Sequence, residues 1–269
     1  MGKLACRQRP VTPLYGARTP EGDSVLVRRR LCLLLVISLV FLAGCGIPKL
    51  NLFGSAAAPL KEYTLEGRGD QKILVIPVYG LISDVPREKF LRARPSLVQE
   101  VVARLRRAEA DEQVKAVILK INSPGGTTTA SDILYHEIQG YMRRSRRVVV
   151  AALMGTAASG GYYIALPADW IMAHPTTVTG SVGVIFMQPE IAGLMDKFGV
   201  AVRVTKSGPN KDMGTPFRRS NEKERLMFQH LTDRLGSRFL DLVAQHRTLD
   251  NGQLADIATA RIYPVSYTH

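Results

Sequence analysis

From residue 73 onward, short apolar runs alternate with amphipathic segments, and this alternation is the strongest constraint on what the chain can fold into. The apolar runs predict strands at residues 73–78, 116–121, 148–153, 170–173, 182–185 and 200–205. Helical spacing of apolar residues predicts helices over residues 96–109, 130–143 and 222–245. Strands that alternate with helices pair in parallel through right-handed crossovers. The sequence therefore predicts an α/β fold with a largely parallel sheet.

A run of small residues, 155–159, leaves the third of these strands and leads into Gly160-Gly161-Tyr162-Tyr163. Ser159 would therefore sit at a strand-to-helix turn, beside the N–H groups and the positive dipole end of the next helix. Such donors stabilise the oxyanion of an acyl transfer, and glycines let a substrate backbone approach closely. Small residues at a strand end can also serve only to pack a helix against a sheet. On this segment alone, Ser159 is either a nucleophile or a packing residue.

A second turn follows the strand at residues 116–121 and contains Pro124-Gly125-Gly126. Parallel sheets bind ligands at the carboxyl ends of their strands. If the two strands are neighbours, the amides of this glycine pair and of Gly160 would face one cavity, with the Ser159 hydroxyl between them. That arrangement is an oxyanion hole. The Pro-Gly-Gly segment alone is equally typical of an ordinary turn, but the pairing of the two turns favours catalysis.

A serine nucleophile needs a neighbouring base, and the sequence offers one histidine and two lysines. Of the five histidines, only His174 lies in a predicted loop after a strand, and a lone histidine there is more often structural. The loop after residue 205 carries Lys206 and Lys211. A lysine acts as a base only where burial lowers its pKa from about 10.4 towards neutrality. Composition does not choose between the two lysines.

The cysteines and the charge exclude several function classes. The three cysteines, Cys6, Cys32 and Cys45, all lie in the first 45 residues, so the rest of the chain has no thiol nucleophile, disulfide or cysteine-based zinc site. We expect neither a metal ion nor a cofactor. The formal net charge is +13, but the basic residues are scattered and no nucleic-acid motif accompanies them. We therefore expect no nucleic-acid partner.

The N-terminus has the pattern of a membrane-targeting segment. Arg28-Arg29-Arg30 precede an uncharged run, and Leu42-Ala43-Gly44-Cys45 ends that run with small residues, as in a secretory signal. These last four residues also resemble a bacterial lipobox, in which Cys45 would be lipidated. The alternative is an uncleaved anchor, since residues 31–48 only just reach the roughly 17–25 residues that span a bilayer. Both readings place the following domain on the extracytoplasmic side of a membrane.

The motifs of this domain resemble the signal peptide peptidases of the SppA type, which are Ser–Lys peptidases with a ClpP/crotonase-like fold. The resemblance covers about residues 70–265, in family order, and rests on residues 121–126, 158–165, 179–184 and 206–212. It implies a spiral of repeated β-β-α units with largely parallel sheets. It also implies a membrane-associated homo-oligomer that degrades cleaved signal peptides or other small peptides near the membrane, without a cofactor.

The resemblance further implies roles for individual residues. Ser159 would be the nucleophile, Lys211 the general base and Ser181 the residue that orients the lysine. In such assemblies the serine and the lysine of one site can come from neighbouring protomers. A ClpP-type Ser-His-Asp triad is disfavoured, because no histidine stands near Val184. The implied donors of the oxyanion hole are the amides of Gly160 and of Gly126, in preference to Gly125.

Together these patterns divide the chain into a signal sequence or anchor (1–45), a linker (46–70) and a catalytic domain (71–269). Two features depart from the family pattern. A lipobox-like Cys45 is less typical than a simple anchor, and residues 266–269 do not fit, so we expect an incomplete C-terminus.

Two other function classes stay open: a crotonase-like enzyme acting on acyl thioesters, which also uses paired oxyanion amides, and a non-catalytic lipoprotein scaffold.

Overall fold

The computed structural model describes residues 60–89 and 92–265. The predicted membrane-targeting segment, Cys45 included, and residues 266–269 lie outside the described residues. No helix in the described part has both the length and the apolar character needed to cross a membrane.

The described residues form a mixed α/β domain, as the alternating sequence pattern predicts. The strands are β1 (Lys72–Tyr79), β2 (Arg87–Lys89), β3 (Arg92–Arg94), β4 (Val114–Ser123), β5 (Val148–Ala158), β6 (Trp170–Ala173), β7 (Val178–Gly180) and β8 (Ile262–Pro264). The helices are α1 (Leu97–Ala110), α2 (Thr128–Ser145), α3 (Gly160–Tyr163), α4 (Ala192–Phe198), α5 (Glu222–His246) and α6 (Asn251–Ala258).

The main sheet has the order β1-β4-β5-β7-β8, and β6 also pairs with β5. Its pairs are parallel except for β7 with β8, and β2 and β3 form a separate antiparallel pair. Because β4 and β5 are parallel neighbours, the turns that follow them lie at the same edge of the sheet. This topology places the two glycine turns side by side.

Helices α1 and α2 cover the sheet and bury its apolar side chains. Helix α1 starts at a capping box, in which the Ser96 hydroxyl accepts from the amide of Gln99 and the Gln99 side chain accepts from the amide of Ser96. Its residues Val101 and Leu105, one turn apart, are buried against the sheet. Apolar residues at this spacing form one face of a helix, so the amphipathic pattern determines which side packs inward.

Two predicted strands are wrong. Residues 182–185 are irregular, because Gly180 and Ser181 have φ values of +89° and +52° and turn the chain out of the extended conformation. The strand at this place is β7, which starts four residues earlier and ends at Gly180. Residues 200–205 are also irregular, since no strand among the described residues pairs with them, and Val200, Val202 and Val204 are about half exposed.

Strand β5 changes partner halfway along, and this change shapes the end that carries Ser159. Its residues 150–153 pair with β6 and its residues 156–158 pair with β7. At the transition, the side-chain oxygen of Asn122 accepts from the amide of Thr156 at 3.0 Å. The side chain of the neighbouring strand thus satisfies a backbone donor where the ladder between β4 and β5 is interrupted.

Candidate active site

Ser159 lies at the junction of β5 and α3, where the sequence places it. Its amide donates to the carbonyl of Gly180 at 2.8 Å, and its carbonyl accepts from the amides of Tyr162 and Tyr163, both at 2.9 Å. The Ser159 backbone has φ +50° and ψ −121°, a conformation that a residue with a side chain adopts only under strain. Ser159 is partly exposed, whereas Ala158 before it is buried. Backbone strain of this kind is typical of functional sites, where the surrounding structure holds a residue in one place.

The two glycine turns contact each other directly at Ser159. A β-carbon built on Gly125 would lie 2.7 Å from the Gly160 nitrogen and 3.0 Å from the Ser159 β-carbon. A β-carbon on Gly160 would lie 3.1 Å from the Gly126 nitrogen and would collide with the Ser131 hydroxyl. Glycine is therefore required at these positions for the close approach of the two backbones.

Two amides of this pair of turns are free to bind an oxyanion. The Gly125 amide donates to the Ser123 hydroxyl at 3.1 Å and is thereby occupied. The amides of Gly126 and Gly160 make no hydrogen bond within the described part of the chain. Gly160 is also the first residue of α3, where a helix leaves its N–H groups unpaired. The structure thus favours the amide of Gly126 over that of Gly125 as a candidate donor to an oxyanion.

Ser181 lies beside Ser159, because β7 ends next to the end of β5. Ala158 pairs with Gly180 in the ladder, and the Thr179 hydroxyl donates to the carbonyl of Ala157 at 2.8 Å. The Ser181 amide donates to the carbonyl of Arg261 at 2.7 Å, which connects this turn to the chain just before β8. The two serines therefore stand at adjacent strand ends.

Lys211 is not joined to either serine. It is exposed, and its side chain makes no hydrogen bond or ion pair with any described residue. By contrast, the Lys206 ammonium donates to the carbonyl of Pro209 at 3.0 Å and to the carboxylate of Asp212 at 2.6 Å. Of the two loop lysines, Lys206 is thus bonded within the loop, whereas the Lys211 amine has no partner among the described residues.

His174 is placed where it cannot serve Ser159 in this chain. It follows β6, and its amide donates to the carbonyl of Leu153, six residues before Ser159 on β5. Its Nδ1 forms a 2.8 Å hydrogen bond with the hydroxyl of Thr176 in the same turn. This histidine is exposed and has a local structural role.

Helix α5 supports the turn that carries Ser159, which the sequence analysis missed. Arg238 of α5 donates to Asp132 of α2 at 2.7 Å, and the Tyr163 hydroxyl donates to the same oxygen at 2.6 Å. The Tyr163 ring also packs on Phe239 of α5, with centroids 4.7 Å apart. Burial alone would raise the pKa of Asp132, but the hydrogen bonds from Tyr163 and Arg238 outweigh it and keep this pKa below its usual value.

No single sequence signal marks this support, since Asp132, Tyr163 and Arg238 are far apart in the chain. The one available hint is local. Asn221 followed three residues later by Glu224 is a capping pair, and it fixes where α5 begins. Helix α2 begins at a cap as well, where the Thr127 hydroxyl accepts from the amide of Ala130 at 3.2 Å.

Two family models match this chain. The model of peptidase family S49 matches residues 142–266, which include Ser159, Ser181 and Lys211. The model of the Clp proteases matches residues 92–178, which include the two glycine turns.

Individual relatives extend the likeness over most of the chain. It is 35% identical over 208 residues to a protein of Enterococcus faecium assigned as signal peptide peptidase SppA. It is 34% identical over 197 residues to protease 4 of Haemophilus influenzae, and 28% over 212 residues to the chloroplastic serine protease SPPA of Arabidopsis thaliana. These matches cover 76%, 71% and 78% of this chain. They cover 59%, 30% and 31% of the relatives' own lengths, so the chain spans only part of each.

Proposed function

We propose that the chain, whose residues 142–266 match the model of peptidase family S49, is a serine endopeptidase that works through a Ser–Lys dyad and an acyl-enzyme. One observation carries this proposal: Ser159 stands at a strained turn where the two glycine turns meet, and the amides of Gly126 and Gly160 in those turns make no hydrogen bond within the described residues. A nucleophile flanked by two preorganised N–H donors is the arrangement that acyl transfer needs.

The chemistry follows from the roles of these groups. The neutral amine of Lys211 takes the proton of the Ser159 hydroxyl as its oxygen attacks the scissile carbonyl. The amides of Gly126 and Gly160 bind the oxygen that becomes negatively charged. Lys211 then gives the proton to the leaving amine, and water hydrolyses the acyl-enzyme by the same route. Ser181 orients the amine of Lys211 by a hydrogen bond.

We propose that the site is completed by a homo-oligomer. Support comes from the apolar residues around the lysine loop: Ile185, Met187 and Phe198 are 77%, 80% and 76% exposed. Several large apolar side chains left exposed in neighbouring segments of the chain are typical of a protein–protein interface. The strand-like segment 200–205, which leads into the lysine loop, also has no pairing strand in the described part of this chain. A second copy would cover this surface and bring an amine to Ser159.

We also propose the finer features that the family implies. The fold would be the ClpP/crotonase-like spiral of repeated β-β-α units, which the mostly parallel sheet supports. Residues 1–45 would target or anchor the chain to a membrane, with the catalytic domain on the extracytoplasmic side. The substrates would be cleaved signal peptides or other small apolar peptides; the name of the Enterococcus faecium relative supports this class.

Hydrolysis of an apolar peptide by the full chain and its variants tests the proposal. Ser159→Ala and Lys211→Ala should each abolish hydrolysis while the thermal unfolding temperature stays close to that of the wild type. Lys115→Ala is a matched control, because this exposed lysine lies near the start of β4, at the opposite edge of the sheet. Full activity of Ser159→Ala would reject the proposal.

A further inference from the structure

The loop that carries Lys211 is shaped by its own turns. The amide of Lys211 donates to the carbonyl of Gly208 at 3.2 Å, and the amide of Thr215 donates to the carbonyl of Asp212 at 3.2 Å. Turn hydrogen bonds of this kind fix the local backbone. They do not fix the loop relative to the rest of the domain, so an additional anchor is needed to hold Lys211 in one place.

Arg218 is that anchor. Its Nε and Nη2 donate to the two carboxylate oxygens of Asp212, at 3.0 and 3.1 Å, and Nη2 also donates to the Asp212 carbonyl at 3.3 Å. On its other side, Nη1 donates to Glu224 at 2.8 Å and Nη2 donates to the second oxygen of the same carboxylate. Glu224 accepts from the amide of Asn221 and so completes the capping box of α5. Arg218 therefore ties the neighbour of Lys211 to the start of α5.

The carboxylates that Arg218 joins are shielded from solvent. The side chain of Glu224 is 3% exposed and that of Asp212 is 10% exposed. Lys206 adds a second cation on Asp212, so two positive charges face two carboxylates. The hydrogen bond from Arg218, followed by the one from Lys206, holds the pKa of Asp212 well below its usual range. Bidentate pairs of this kind define one geometry, because a shift of the guanidinium would leave a shielded charge unpaired.

Resting on the function proposed above, we propose that Arg218 is a positioning residue for Lys211. It clamps Asp212 against the start of α5, so the lysine loop is held to the domain that carries it. The clamp thereby fixes the direction in which the Lys211 amine is presented. Proton transfer depends on such placement, since a displacement of about 1 Å can cost about 10²-fold in rate. Arg218 itself touches no reacting atom and acts only through the loop.

The experiment compares peptide hydrolysis by Arg218→Ala, Arg218→Lys and a control, Arg225→Ala, in the full chain. Arg225 is a matched control: it lies in the first turn of the same helix, is exposed and forms an ion pair with Glu222. We expect Arg218→Ala to lower kcat by about 10²-fold with KM changed by less than about threefold. Arg218→Lys keeps the charge but loses the fork of donors, so it should recover only part of the rate. Arg225→Ala should match the wild type.

Chemical rescue separates positioning from a general loss of structure. Millimolar guanidinium chloride should restore part of the kcat of Arg218→Ala, because the free cation can occupy the space between Asp212 and Glu224. The wild type and Arg225→Ala should show no such gain. If Arg218→Ala does not fold, Asp212→Asn breaks the same link with a side chain of the same shape, and it should lower kcat in the same way.

The outcomes separate this proposal from the function on which it rests. A folded Arg218→Ala or Asp212→Asn with unchanged kcat overturns the positioning role and leaves the peptidase intact. A loss of kcat that tracks a lower unfolding temperature, with no rescue by guanidinium, also overturns it. A wild-type chain that hydrolyses no peptide, or one that Ser159→Ala leaves fully active, overturns the peptidase itself.

Discussion

The amide of Ser159 donates a 2.8 Å hydrogen bond to the carbonyl of Gly180. This bond ends the hydrogen-bond ladder between β5 and β7, because both strands stop at this point. Ser159 and Ser181 therefore emerge from adjacent strand ends, and both have positive φ values, +50° and +52°. Backbone strain at two neighbouring strand ends is typical of a functional site, and here it occurs at two serines that lie side by side.

The contact between the glycine turns predicts a sharp difference between two Gly→Ala substitutions. Gly160→Ala should destabilise the domain by about 1–3 kcal/mol and reduce hydrolysis, because the new methyl group meets the Ser131 hydroxyl and crowds the Gly126 amide. Gly236→Ala, at an open position within α5, should stabilise it by about 0.5–1 kcal/mol without loss of activity. Urea unfolding measures both changes. Equal stability of the two variants would contradict the close approach of the turns.

Two buried tyrosines predict opposite responses to loss of the hydroxyl group. The hydroxyl of Tyr141 is buried and has no hydrogen-bond partner in the described part of the chain, so Tyr141→Phe should leave the free energy of unfolding unchanged or raise it. Tyr163→Phe removes the 2.6 Å bond to Asp132 and should lower it by about 1.5–3 kcal/mol. Denaturant titration of both variants checks this pair. A larger loss for Tyr141→Phe would show that its hydroxyl is in fact paired.

His246 predicts a dependence of stability on pH. Its Nε2 is 2.7 Å from the Tyr135 hydroxyl, and burial, followed by the charge of Arg247, lowers its pKa below the ordinary 6.5. The folded state then binds fewer protons than the unfolded state, so this contribution is present above about pH 6.5 and is lost as the pH falls through the lowered pKa. Thermal unfolding from pH 7 to pH 5 should therefore show a declining stability. His246→Gln should flatten that decline, and an identical slope in the variant would contradict the assignment.

The exposed apolar segment predicts self-association. Val202 lies at the centre of residues 200–205 and is 47% exposed. If a second copy covers this segment, the wild type should elute as a multimer in size-exclusion chromatography with light scattering. Val202→Asp should dissociate it by placing a charge in an apolar contact, whereas Lys115→Ala should not. A wild-type chain that is monomeric at all concentrations would refute this surface as an interface.

The central strands of the sheet could be predicted because each contains a local run of apolar residues. The uninterrupted apolar run 148–153 predicts the first half of β5, and the prediction of 116–121 falls within β4. The helices were found for a similar reason: apolar residues recur at helical spacing, as Val101 and Leu105 do in α1. Propensity and apolar spacing are properties of the segment itself, so one sequence suffices to read them.

The errors arose where a distant residue decides the outcome. Residues 200–205 have the composition of a strand, yet a strand exists only where a neighbour accepts its hydrogen bonds. Strand β8 was missed because it is short and owes its existence to pairing with β7. The ion pair between Arg218 and Glu224 could likewise not be predicted, since the spacing of charged residues in a loop does not show which of them pair. The sequence indicated the glycine turns, and the family resemblance favoured Gly126 over Gly125. The structure adds the physical reason, since the Gly125 amide already donates to the Ser123 hydroxyl.

Labelling of the wild type with a fluorophosphonate probe, followed by intact-mass and peptide mass spectrometry, tests the central assignment most directly. An activated serine nucleophile predicts a single adduct on Ser159, none in Ser159→Ala and a strongly slowed reaction in Lys211→Ala. A wild-type chain that stays unlabelled, or an adduct that forms equally well in Ser159→Ala, would contradict it.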